Sequence, residues 1–427
     1  MKFLKAILKK ILIPPLAWHR RFLIDKIDRK VDRNMILNAQ ILAHLHMESY
    51  RKMLANMANS GLANNRGGGE SSLESNMESS VESALESNLP NFRKYSTESN
   101  SCVKSSSQHL QNGIFIEDME FSVFSQNGED GILDFLIEIL GLDRQTCVDF
   151  KDSAREQKLD SADSKNTADS LNLNATNSTN STKSQHSKTA IDSPNYSRAF
   201  IEFGVEDFSE SNTHYLLLNR NFQGLIMDGG SENINKIKQS ELYWKYDLEA
   251  KNAFITKENI NALINSWLDS RSIKNVAILS IDIDGVDYHI WERIEIAPAI
   301  VIIEYNAIFG AEKSLSVPYR ADFNRFLAHY SGLYFGASIK ALVRLGKKKG
   351  YIFVGCDSSG TNAFFVKDEF REQVRHIKTR SLSAYCKAHN ARQSRDKNGN
   401  LNFKSGSERE QEINQKIAQE IIEIAKL

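Results

Sequence analysis

GYIFVGCDSSGTNAFFV, residues 350–366, holds two apolar runs, Tyr351 to Cys356 and Asn362 to Val366, with only Asp357, Ser358, Ser359, Gly360 and Thr361 between them. A parallel crossover takes about a dozen residues or more, so these two strands must form an antiparallel hairpin. Upstream the pattern differs. Strands are expected at Ala199 to Val205, Gly224 to Asp228, Val276 to Ile283 and Ala299 to Tyr305, with a short one near Ala253 to Thr256. Helices are expected between them at 212–221, 232–239, 258–269, 286–294 and 322–346. Continuous apolar strands alternating with helices predict a mostly parallel sheet covered on both faces, a doubly wound, Rossmann-like α/β architecture. Dinucleotide dehydrogenases of this architecture end on parallel strands; here the last strand is reversed.

The remaining sequence is of other kinds. Length alone allows two or three domains in 427 residues, but two long polar tracts lower the expectation to one full-sized domain. The Ser, Asn and Glu-rich stretch 58–113 repeats Glu every four residues from Glu70 to Glu86, a period that gives no fixed helical face. It is expected to be a disordered acidic linker, and 151–197, built of Ser, Asn, Thr, Asp and Lys, a disordered insertion at a surface loop. The domain is thus expected in 114–150 and 198–370, followed by a linker and an amphipathic helix in 371–427 with Ile413, Ile417, Ile421 and Ile424 on one face.

Basic and acidic side chains balance at 54 each, which argues against a general grip on nucleic acid. The N-terminus departs from that balance, with ten Lys or Arg against three Asp in residues 1–33. Residues 1–19 read as a short basic amphipathic helix, equally an anchor on anionic lipid or a helix docked on its own protein. A longer helix over 20–57, with near-heptad Ile24, Ile27, Val31, Ile41 and Leu45, is a candidate for self-association. The four cysteines lie far apart without metal-site or disulfide spacing, which fits a reducing cytoplasmic setting, with the N-terminal region peripheral to the inner face of a membrane.

In open α/β sheets, ligands bind beyond the carboxyl ends of the strands. The first strand runs into Glu202, Gly204, Glu206, Asp207 and then Ser211, Asn212 and Thr213, a polar loop leading into a helix. Gly204 permits a tight turn, and free N–H groups at the helix start suit a ligand carboxylate. Asp228 ends the second strand, where a carboxylate can accept from both hydroxyls of a ribose. The fourth strand ends in Asp282-Ile283-Asp284-Gly285 and the fifth in Glu304-Tyr305-Asn306. Asp282, Asp284, Glu304 and Asn306 together make a candidate site for a hard cation such as Mg²⁺. For proton transfer the candidates are Asp284, His289 and His214.

The runs SQNGEDGIL (125–133), FIEFGVEDFSESNT (200–213), GLIMDG (224–229), LSIDIDGVDYHIWE (279–292), VIIEYNA (301–307) and the closing hairpin resemble, in this order, FkbM-related class I methyltransferases, a bacterial branch of them. A reversed last strand is the habit of class I methyltransferases. The resemblance covers about half the chain. It implies S-adenosylmethionine held by Glu202, Gly204 and Asp228, with Asp282 beside the methyl group, and a saccharide or other hydroxyl as acceptor. Gln126, Glu206, Asn212 and Thr213 complete the expected cofactor-binding set, and Asp282, Asp284 and His289 the catalytic set. The first loop departs from the family in carrying Glu206-Asp207 where methyltransferases commonly have Gly-x-Gly. Two alternatives stand beside this expectation: a metal-dependent glycosyltransferase using Asp282-x-Asp284, and a catalytically silent, membrane-associated scaffold.

Overall fold

Apolar, β-branched residues fill both faces of the central strands, and their alternation builds a layer on each side. On the strand Ile300–Glu304, Val301 and Ile303 join one buried cluster while Ile300 and Ile302 join the other. Each such side chain contributes about 1.5–3 kcal/mol on burial. The computed structural model describes residues 35–55, 113–143, 196–386 and 393–424. Met1–Leu142 with Tyr196–Leu427 forms one compact unit and Asp143–Asn195 a second, of which only Asp143 is described. The basic segment 1–19 and nearly all of the tracts 58–113 and 151–197 lie outside the described residues.

Seven strands form the main sheet: β1 Ser197–Phe203, β2 Gln223–Asp228, β3 Leu248–Asn252, β4 Val276–Ile281, β5 Ile300–Glu304, β6 Tyr351–Cys356 and β7 Asn362–Lys367. Their spatial order is β3-β2-β1-β4-β5-β7-β6. All pairs from β3 to β5 are parallel, whereas β7 runs antiparallel to both β5 and β6. The closing hairpin is therefore as expected. The order reverses between β1 and β4, which creates the switch-point crevice of doubly wound sheets.

The main helices are α1 (35–55), α2 Glu129–Leu140, α3 His214–Asn219, α4 Ser231–Lys238, α5 Ile260–Arg271, α6 Asp287–Arg293, α7 Ile339–Lys348 and α8 Ser407–Glu420. The α1 segment docks on its own unit: Tyr50 packs edge-on against Phe135 of α2 at 5.2 Å, and Ala39 and Met53 are buried. In the N-terminal segment, Ile114–Phe115 pairs in parallel with Ile377–Lys378.

Three sequence expectations change. The edge strand is Leu248–Asn252, not 253–256: its sequence LEAKN carries Glu249 and Lys251, and charges on an edge strand discourage pairing with another chain. The helix expected over 322–346 is instead a single turn, Arg325–Ala328, a loop, and α7 capped by Ser338. Gly332 and Gly336 sit at φ +71° and +66° in that loop, and helix cannot continue through the left-handed region. The C-terminal helix stops at Glu420; Ile413, Ile417, Ile421 and Ile424 pack on the core, and Ile422–Glu423 pairs antiparallel with Leu315–Ser316. Among the described residues no helix is long and apolar enough to cross a membrane.

Candidate active site

The loop after β1 is organised around one carboxylate. Glu202, 4 % exposed, accepts hydrogen bonds from Ser211 Oγ (2.6 Å), Asn212 N (3.0 Å), and both the backbone N and the hydroxyl of Thr213. Asn212 Nδ2 in turn donates to Ser280 Oγ at 3.1 Å, linking the loop to β4. Gly204, at φ +75°, serves that junction: a Cβ there would lie 1.6 Å from the carbonyl oxygen of Asp282. The glycine thus allows two strand ends to approach each other. Glu206 holds φ +47°, a backbone region that favours glycine, and its N–H donates to Asp228 Oδ2 at 2.9 Å.

Asp228 accepts twice more through Oδ1, from Gly230 N (2.7 Å) and Asn233 Nδ2 (3.2 Å). A carboxylate offers about four acceptor positions, so one remains for a ligand hydroxyl. Beyond it Met227, Phe254 and Ile255 give the cleft an apolar end.

At the other end, ligand atoms of Asp282, Asp284 and Glu304 lie within 4.8 Å of one another. Burial, then the charges of Asp284 and Asp287, push the Asp282 carboxyl well above the usual carboxylate range; burial, then Asp282, does the same to Glu304. Asp284 takes φ +53° and pairs with the Arg325 guanidinium, which also lies over the Phe326 and Phe335 rings at 5.1 and 5.4 Å. Asp287, fully buried, accepts from Ile283 N and Gly285 N at 2.9 and 3.0 Å and so holds the Asp282–Gly285 turn in shape.

One cleft of about 600 Å³ opens at the carboxyl ends of the strands. Gln126, Glu202, Gly204, Glu206, Asn212, Asp228, Asp282, Asp284 and Glu304, all picked from the sequence, meet there. Thr213, His289 and Asn306 are not in the lining. Thr213 is fully buried behind Glu202. His289 Nε2 lies 2.9 Å from the carbonyl of Val317, and burial lowers its pKa. Asn306 spends its amide on the carbonyls of Leu333 and Phe335 (2.9 and 3.0 Å) and its oxygen on Ile308 N (3.1 Å). His214 is also absent from the lining, stacked between Phe124 and Phe208 at 4.0 and 4.8 Å, with its pKa pushed down to about 4 by burial.

The cleft also contains groups that the sequence did not single out. Arg325, Gln393 and Arg409 come from the C-terminal third of the chain, and Thr361 and Asn362 from the start of β7. Seven acidic side chains and two arginines line the cleft, and burial raises the pKa of Glu202, Asp282, Asp284 and Glu304 among them.

The SQNGEDGIL segment supports the cleft wall. Asp130 Oδ2 accepts from the backbone N of Val123, Phe124 and Ser125 at 2.7, 2.8 and 3.0 Å. Glu129 accepts from Asn362 Nδ2 (2.9 Å) and Asn127, tying α2 to the hairpin. Asp357 caps the hairpin turn, accepting from Gly360, Thr361 and Asn362 N; burial, then the charge of Glu129, pushes it up to about 8. Burial raises Asp130 and Asp287 to about 6. With the folded-state values above the ordinary one, the folded chain retains protons that the unfolded chain has released, so stability declines as pH rises. The thermal midpoint should therefore fall as pH rises from 3.8, with Asp130 and Asp287 contributing up to about 6 and Asp357 up to about 8. Glu129→Gln should reduce that fall in scanning calorimetry; an unchanged slope would place the titration elsewhere.

The sheet order and the strand-end cleft define a Rossmann-like, doubly wound α/β protein. No family model matches the chain, and no curated protein matches it. Among solved structures it is similar to the selenomethionine-substituted CurJ carbon methyltransferase, with 12 % identity and a TM-score of 0.25 over 40 % of this chain. The match spans about half of that protein, 48 % of its chain.

Proposed function

We propose that the chain is an S-adenosylmethionine-dependent methyltransferase, FkbM-related, that transfers a methyl group to a hydroxyl of a saccharide or related acceptor. The observation that carries it is the pairing of a reversed β7 in the order β3-β2-β1-β4-β5-β7-β6 with strand-end carboxylates Asp228 and Asp282 in one acidic cleft. The cleft's volume lies within the roughly 300–1,000 Å³ common to small-molecule sites. The cofactor fits on chemical grounds: Asp228 retains an acceptor position for a ribose hydroxyl, and Phe254 and Ile255 offer apolar surface for an adenine.

When bound, S-adenosylmethionine supplies a methyl group already activated by positive sulfur, so an attacking hydroxyl needs only partial deprotonation. Asp228, Phe254 and Ile255 would hold that cofactor, and Asp282 would accept the proton of the acceptor hydroxyl. Burial and the charges of Asp284 and Asp287 raise its pKa, which makes it the stronger proton acceptor once ionised. Arg325 holds Asp284 and keeps the acidic end from accumulating a further unpaired charge.

A divalent ion fits this site less well. Arg325 already supplies the positive charge beside Asp284, and Asn306, the expected fourth ligand, is anchored away from the cleft. EDTA should therefore leave S-adenosylmethionine affinity unchanged to within about twofold. A loss restored by Mg²⁺ would reinstate the ion, and with it the glycosyltransferase alternative.

Isothermal titration with S-adenosylmethionine tests the proposal directly. Asp228→Ala should weaken binding about tenfold to a hundredfold, the effect of losing hydrogen bonds to a charged acceptor. Its circular dichroism should match wild type. Equal affinities would remove the ribose assignment, and no binding by wild type at millimolar cofactor would favour the scaffold alternative.

A further inference from the structure

Glu304 and Asn362 are directly opposed residues on β5 and β7, at 8 % and 3 % exposure, and both line the cleft. Each has one buried oxygen, Glu304 Oε2 and Asn362 Oδ1, with no hydrogen-bond partner among the described residues. Buried polar atoms are satisfied in the great majority of cases, and an unpaired carboxylate or amide oxygen costs on the order of 1–3 kcal/mol. Two such atoms on facing residues in a ligand cleft form a built site with hydrogen-bonding capacity to spare, beside the Asp282 carboxyl with which Glu304 also interacts. The Asn362 amide is fixed in this orientation, because Nδ2 is committed to Glu129 Oε1 at 2.9 Å. Glu129 is itself held by Asn127 N at 2.9 Å.

We propose that Glu304 and Asn362 form the acceptor subsite and receive two hydrogen bonds from a vicinal pair of hydroxyls on the acceptor. The inference rests on the methyltransferase proposal and specifies its acceptor. Facing residues of an antiparallel pair have Cα atoms about 4.5–5.5 Å apart, a spacing that two neighbouring hydroxyls can bridge. Thr361 and Gln126 line the same cleft and add neutral hydrogen-bonding groups suited to a polyhydroxylated ring. Asp282, adjoining Glu304, then stands beside the hydroxyl to be methylated.

The test uses the full chain with S-adenosylhomocysteine, whose binding is measured first, and methyl α-D-mannopyranoside as the probe. The side-chain amide resonance of Asn362, identified by its disappearance in Asn362→Asp, should shift saturably as the probe is added. The 2,3-di-O-methyl derivative, which lacks both donors, should bind about tenfold more weakly or worse. Glu304→Gln should weaken the unmodified probe by a similar factor and leave S-adenosylhomocysteine affinity within about twofold. Equal shifts from both probes, as expected if only water satisfies these oxygens, would overturn the subsite. So would tighter binding of the 2-amino analogue, which would assign the wall to an amine. If the variants fail to fold, the wild-type comparison of the two probes still decides. Absence of S-adenosylhomocysteine binding with a probe-specific shift would sink the methyltransferase proposal and leave the diol subsite standing.

Discussion

Asp282→Asn is expected to lower methyl transfer on the order of 10²–10⁴-fold, the contribution of a positioned proton acceptor. S-adenosylmethionine affinity should change much less, because the substitution keeps the size of the side chain and removes mainly its ability to take a proton. The expected effect is large because the proposed mechanism makes Asp282 the proton acceptor. Burial and the nearby Asp284 and Asp287 raise its pKa, and Arg325 neutralises Asp284 without pairing Asp282. Wild-type turnover, followed with methyl-labelled cofactor and a saccharide panel, should rise with pH as Asp282 loses its proton, a limb that the Asn variant lacks. A parallel fall in affinity and turnover would make Asp282 a cofactor ligand.

Gly204→Ala is expected to have the largest effect on stability. A methyl group would lie 1.6 Å from the Asp282 carbonyl oxygen and 2.7 Å from its carbon, and no side-chain rotation can relieve contact with backbone. The register pairs Phe203 with Ile281, so relief requires β1 and β4 to separate at the centre of the sheet. Overpacking and a left-handed alanine together should cost on the order of 4 kcal/mol. Gly310→Ala is the comparison, with nothing within 4 Å but φ +66° and ψ −173°, a backbone region kept for glycine, and should lose about 1–3 kcal/mol. Urea denaturation of the two variants separates steric from conformational cost. Equal losses would mean that Gly204 is needed for its backbone angle alone.

The closing hairpin was legible because five intervening residues forbid a parallel crossover, a constraint that no packing detail can override. Asp282, Asp284 and Glu304 were legible as a group because parallel strands deliver their carboxyl ends to one side of the sheet. Strand β3 was not, since LEAKN carries the charges of an edge and the apolar Phe254 and Ile255 beside it belong to the cleft. Nor could local pattern reveal Arg325, Gln393 and Arg409, which reach the cleft only through packing of distant segments. His289 and Asn306 show the reverse error: polar residues near a strand end whose hydrogen bonds are consumed by the carbonyls of Val317, Leu333 and Phe335. Asp287 had a visible signal, an acidic residue in the first turn of a helix, and its use is to shape the turn before it.

The pairing of Ile114–Phe115 with Ile377–Lys378 joins positions roughly 260 residues apart. Closing so long a loop carries an entropic penalty of about 5 kcal/mol, which a two-residue ladder cannot offset alone. That contact therefore depends on the sheet being already in place, which puts arrival of the N-terminal segment late in assembly. Gln126 and the Glu129 anchor of the hairpin arrive with it. On this order, a chain with an ordered sheet but an undocked segment is expected to keep native-like secondary structure while lacking the Gln126 wall of the cleft.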